Sequence, residues 1–153
     1  MKKYLLTTMT LLVFTISFSQ SSEEEFVKQT IIDFFEAFHK QDTVKLKTMA
    51  KGNIKMQSIS VTKEQKTQLS ENDYYGFVKN IAEIPKDKTF EEKLLGFDIK
   101  VDGHMANAWT PYEFWFDGNF SHCGVNSFQL VKEDSSWKII YLVDTRRKKS
   151  CGS

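Results

Sequence analysis

The side chains whose ordinary pKa lies nearest neutrality are three histidines, His39, His104 and His122, and two cysteines, Cys123 and Cys151. His122 and Cys123 lie in a stretch that can be counted. Apolar, alternating residues run from Met105 to Phe116 and from Asn119 to Val131, and between them stands Asp117-Gly118, a pair that favours a two-residue hairpin turn. Counting outward from that turn pairs Phe116 with Asn119, Trp115 with Phe120, Glu113 with His122 and Trp109 with Asn126. Alternation then puts Trp109, Pro111, Glu113, Trp115, Phe120, His122, Gly124, Asn126 and Phe128 on one face, with Thr110, Tyr112, Phe114, Cys123 and Val125 on the other. Glu113 beside His122 is a carboxylate raising an imidazole pKa, the arrangement of a general acid or base poised near neutrality. On a solvated face it is an ordinary ion pair. The aromatics favour a covered face, because Trp109, Trp115 and Phe120 together would make a large exposed apolar patch.

Aromatic walls with a few polar groups are how small-molecule pockets are lined. The candidate catalytic residues are therefore His122 and Glu113. The candidate pocket is Trp109, Glu113, Trp115, His122, Asn126 and Phe128, joined by Asp144 and Arg146 at the end of the last strand, where they form either a charged lip or a structural ion pair. Cys123 does not form a dyad with His122, because neighbours in a strand point to opposite faces; it reads as a buried small hydrophobe. His39 reads as a cation at a helix end, and His104 as an exposed turn residue.

No cysteine or histidine spacing suits a metal, and no cofactor is predicted. Twenty-one basic and twenty acidic residues give a net charge of +1, so no general field draws nucleic acid or an anionic membrane. The basic run Arg146 to Lys149 belongs to a tail, residues 146–153, expected to fray. Cys151 lies in that tail. A bridge to Cys123 is open to it in an oxidising compartment but is not the expectation.

These residues need elements to position them. Lys2 and Lys3, an apolar run over Leu11 to Phe18, and small Ser17 and Ser19 read as a secretory signal, residues 1–19, cleaved before Gln20; a secreted or periplasmic protein with no later membrane contact follows. Val27, Ile31, Phe34, Phe35 and Phe38 then make one apolar stripe on a helix over about residues 23–40, with Glu23 to Glu25 in its first turn. Asp42 caps a short second helix carrying Val44, Leu46 and Met49, ended by Gly52. A strand covers Ile54 to Val61, Thr62 to Leu69 is loop or ragged hairpin, and a third helix starts near Ser70 and stops at Pro85. From Phe90 the chain reads as strands alone: Phe90 to Val101, Met105 to Phe116, Asn119 to Val131 and Trp137 to Thr145. With no helix between them the sheet is expected to be antiparallel and the class α+β, in one domain over residues 20–145.

The order of elements, with Phe34-Phe35-Glu36-Ala37-Phe38-His39-Lys40-Gln41-Asp42 near the start and Trp137-Lys138-Ile139-Ile140 in the last strand, resembles the nuclear transport factor 2-like (SnoaL-like) superfamily, and within it the small secreted bacterial members. The resemblance implies a curved antiparallel sheet wrapped by N-terminal helices into a cone with a cavity, and a homodimer formed through the sheet. It implies no catalytic residue, because the enzymes of this superfamily share no single motif. Three functions stay open: binding of a small apolar or mixed-polarity molecule, an isomerase, dehydratase or cyclase using a His-Glu pair, and a homodimeric interaction module without a ligand.

Overall fold

The computed structural model describes residues 22–149 and 151; the proposed signal lies outside the described residues. Helix α1 spans residues 22–39 and buries the whole predicted stripe, Val27, Ile31, Phe34, Phe35 and Phe38. Helix α2, Thr43–Met49, is capped by the Asp42 carboxylate, which accepts from Lys45 N at 2.9 Å. Helix α3, Tyr74–Glu83, starts four residues later than its pattern suggests, because Ser70 to Asp73 belong to a strand and Asp73 is the cap, accepting from Gly76 N at 2.7 Å. No described helix is long and apolar enough to cross a membrane.

Seven strands form one sheet: β1 Lys55–Val61, β2 Thr67–Asp73, β3 Phe90–Leu94, β4 Asp98–Asp102, β5 Met105–Phe116, β6 Asn119–Glu133 and β7 Ser136–Arg146. Their order is β2-β1-β7-β6-β5-β3, with β4 also on β5. The segment Thr62 to Leu69 thus resolves into a hairpin, with the loop followed by β2. The single strand expected over Phe90 to Val101 is broken into β3 and β4, which meet different ends of β5. Pairing is antiparallel everywhere except between β1 and β7, which run parallel, so the sheet is mixed. The reason is topological: α3 and the β3 to β6 meander carry the chain across the sheet before β7 returns beside β1.

The Asp117-Gly118 turn closes as expected, whereas between β4 and β5 Asp102 pairs with Met105 and the turn is Gly103-His104. Asp117 and Gly118 have φ of 48° and 72°, the left-handed pair that a two-residue type I′ turn requires. Beyond that turn the register departs from the simple count. Trp115 pairs with Phe120, but Phe114 pairs with His122, so Ser121 is an extra residue bulged out of β6. A second bulge lies in β7, where Gln129 pairs with Tyr141 but Leu130 with Ile139, leaving Ile140 unpaired. Each bulge reverses the facing of everything that follows it on its strand.

The inner face of the sheet packs on the helices in one core, with Phe34 and Phe35 of α1 edge-on to Phe128 at 5.9 and 6.1 Å between ring centroids. Gln41 clamps α3 to the end of α1 by donating to Ile81 O and Ile84 O, both at 2.8 Å. Lys132 and Trp137 donate to the Glu23 carboxylate at 2.6 and 3.2 Å, which fixes the start of α1 over the far end of the sheet.

Candidate binding cavity

Between α1, α3 and the open end of the sheet lies a cavity of about 100 Å³. Its apolar wall comes from Phe34, Phe35 and Phe38 of α1, Phe77 of α3, and Met56 and Leu142 on the sheet. The α1 stripe therefore serves both core and cavity. Phe77 lies nearly parallel to Phe34 and Phe38, at 6.2 and 5.8 Å between centroids. The polar wall comes from Glu92, Asn126, Asp144 and Arg146, with Ser58, Ser70 and Asn72 toward β1 and β2.

The polar wall holds two hydrogen-bonded groups side by side, one around Glu92 and one around Asp144. Asn126 Nδ2 donates to Glu92 Oε1 at 2.7 Å. Asp144 Oδ1 accepts from the Ser58 hydroxyl, and Oδ2 accepts from Arg146 Nε at 2.8 Å. The Tyr112 hydroxyl lies 3.3 Å from Asp144 Oδ2 and 3.0 Å from Thr145 O. Burial pushes the Glu92 carboxyl from its ordinary 4.5 up to about 8; Asn126 opposes this, Asp144 adds to it, and Arg146 offsets part. At neutral pH Glu92 is mostly the neutral acid. Its main-chain N–H donates to His39 Nε2 at 2.9 Å. His39 is therefore a neutral acceptor whose pKa burial lowers, and not the helix-end cation its position suggests.

Of the residues proposed from the sequence, Asn126, Asp144 and Arg146 line this cavity, and Asp144 with Arg146 is at once ion pair and cavity wall. Phe128 is wholly buried in the core, touching the phenylalanines of α1 behind the cavity. His122 is on the inner face but not on the cavity wall: its ring stacks on Phe114 at 5.0 Å between centroids. Burial first, and then Arg146, lower its pKa, the reverse of the shift expected from Glu113. Trp109, Glu113 and Trp115 are on the outer face, Trp109 being 48% exposed. Glu113 pairs across strands with Cys123 and accepts from Trp115 Nε1 at 3.1 Å, so the proposed Glu113–His122 pair does not exist. The bulge at Ser121 is the cause, since it turns His122, Asn126 and Phe128 inward while Glu113 and the tryptophans stay outside.

Cys123 does not remain a free thiol. After β7, Arg147 pairs with it through two main-chain hydrogen bonds of 2.8 Å, and Cys151 closes a disulfide to it across 28 residues. The tail expected to fray is thus tied down directly after Arg146. Beside the bridge the strands come so close that a Cβ on Gly124 would lie 1.7 Å from Thr145 O; only glycine fits. Glu92, the central carboxyl of the cavity, was not evident from motif or spacing. Its one signal is parity: it shares a strand face with apolar Phe90 and Leu94.

Taken together, a curved, unclosed sheet behind N-terminal helices, with a cavity in its concave side, is the fold of the nuclear transport factor 2-like superfamily. A superfamily protein from Salmonella enterica serovar Typhimurium matches with a TM-score of 0.64 at 16% identity, over 85% of this chain and 94% of that one. A protein of the family from Streptomyces avermitilis, provisionally assigned as a dehydratase, matches at 0.62 and 13%, over 84% and 99%. The beta subunit of a provisionally assigned aromatic-ring-hydroxylating dioxygenase from Novosphingobium aromaticivorans matches at 0.67 and 10%, over 84% and 92%. At these identities the likeness is one of fold. No family model and no curated protein matches the sequence.

Proposed function

We propose that this chain is a secreted or periplasmic binding domain that takes a small organic molecule into the cone. The observation that carries the reading is the cavity itself, where an aromatic wall faces a hydrogen-bonded cluster containing a neutral, partly buried carboxyl group, Glu92. The basic and apolar leader supports export, and a disulfide suits an oxidising compartment. Native mass spectrometry of the chain purified from an exporting host tests both points. A mature mass beginning at Gln20 and a retained small molecule released on denaturation are expected. An empty chain that no metabolite pool stabilises against heat removes the binding reading.

A second reading, a proton-transfer enzyme of the isomerase, dehydratase or cyclase kind, is supported by the same residue, because a carboxyl near 8 can give and take a proton at neutral pH. His122 and Glu113 have no part in it. Turnover of the captured molecule, lost in Glu92→Gln while capture persists, separates catalysis from binding; a molecule recovered unchanged after long incubation excludes it. The homodimer implied by the resemblance would use the outer face, where Met105, Trp109 and Phe120 are exposed, and sedimentation velocity tests it.

A further inference from the structure

The hydrogen bonds of the cavity narrow the chemistry of its occupant, an inference that rests on the binding reading. Asp144 accepts from Ser58 on one oxygen and from Arg146 on the other, with the Tyr112 hydroxyl beside it, and Arg146 offsets its charge. Arg146 spends only Nε on that pair. Its two terminal nitrogens donate to no described residue, and the side chain lines the cavity. Asn126 gives Nδ2 to Glu92 Oε1, which leaves Glu92 Oε2 without a described partner.

What the Glu92 and Asp144 side of the polar wall leaves open is thus a guanidinium edge and a carboxyl that burial keeps protonated below about pH 8. An amine or cation would meet Arg146 and find Asp144 already paired. A neutral amide or alcohol brings one acceptor oxygen and no charge to an edge of two N–H donors, so it matches that edge only in part. A carboxylate fits that edge with two parallel hydrogen bonds, the strong geometry for arginine. Across the cavity, Phe34, Phe38 and Phe77 offer ring faces and edges, and about 100 Å³ suits one ring or a short chain better than a fused ring system.

We propose that the cavity binds a small monocarboxylic acid, its carboxylate on the terminal nitrogens of Arg146 and its aryl or alkyl body against the phenylalanine wall. The main-chain pairing of Arg147 with Cys123 and the disulfide that follows hold the end of β7, and with it Arg146, in place.

The test is calorimetric titration of the full oxidised chain at pH 6.5 with matched probes: benzoate against benzamide, and hexanoate against hexanamide. Each acid is expected to bind at least about tenfold tighter than its amide. Arg146→Gln is expected to bring acid affinity down to that of the amide, with a cooperative urea transition showing that the variant is folded; Arg146→Lys recovers only part. Amides binding as well as acids, or acid affinity unchanged in Arg146→Gln, overturns the carboxylate inference and leaves the binding reading standing. If no probe binds, the inference also falls, and the binding reading falls with it only where the purified chain is empty by mass spectrometry.

Discussion

The β5–β6 ribbon has two faces of similar composition and different fates. Inward point Ala106, Ala108, Thr110, Tyr112 and Phe114, opposite Leu130, Phe128, Asn126, Gly124 and His122; outward point Trp109, Glu113, Trp115, Phe120 and Cys123. Both faces mix large rings with a carboxylate or amide. The inner one is covered by α1 and concave, so its polar groups are enclosed and partnered in a network. Outer polar groups make local contacts instead, Glu113 with Trp115 and Lys93 over the Trp115 ring at 4.6 Å. A face rich in aromatics and charges is therefore not a pocket until another element closes over it.

The comparison is broken most forcefully by truncating one ring on each side. Phe128→Ala is expected to cost about 3–5 kcal/mol and Trp109→Ala less than about 1 kcal/mol, read as urea midpoints; similar losses would mean the outer face is also covered in solution. Next comes the bridge that ties the tail to the outer face. Cys151→Ser is expected to cost about 3 kcal/mol, and reductant should lower the wild-type midpoint to that of the variant while leaving the variant unchanged.

Glu92 sharpens the contrast through pH. Its carboxyl titrates near 4.5 unfolded and about 8 folded, so the folded chain holds the extra proton between these values and stability falls as pH rises through that window. His39 and His122, lowered by burial, act in the opposite direction and only below their unfolded value of 6.5, where falling pH costs stability. Between pH 6.5 and 8.5 the loss belongs to Glu92. It should be on the order of 2 kcal/mol in thermal or urea melts and absent in Glu92→Gln. The smallest effect is expected at Thr110, whose fully buried hydroxyl has no partner on the inner face. Thr110→Val should change stability by less than about 1 kcal/mol, upward; a clear loss would reveal a hydrogen bond to the hydroxyl.

Much of the architecture was legible because it rests on local periodicity. The five apolar positions of α1 recur on one helical face and are all buried; Asp42 and Asp117-Gly118 do what their side chains and backbone preferences dictate. Asp144 and Arg146 were also found, from their place at the end of the last strand, and Asn126 by a count that held only in part. Asn126 and Trp109 were paired across strands, whereas the bulge at Ser121 brings Thr110 opposite Asn126 instead. The bulge at Ile140 then puts Asp144 beside Asn126 on the inner face. Glu92 escaped because its strand, five residues long, shows three charged residues in a row between Phe90 and Leu94 and nothing that announces a site.

The sequence by itself determined the helices, the turns, the α+β class and the inventory of groups that a site could use, since each depends on neighbours within a few residues. The tertiary structure alone decided which face of the sheet is enclosed, that Glu113 and His122 are apart, that Glu92 faces Asn126, and that Cys151 reaches Cys123. The physical reason is the two-residue period of a strand. One extra residue, placed by the strain of a curving sheet, inverts every side chain beyond it, and no local preference records where that residue falls.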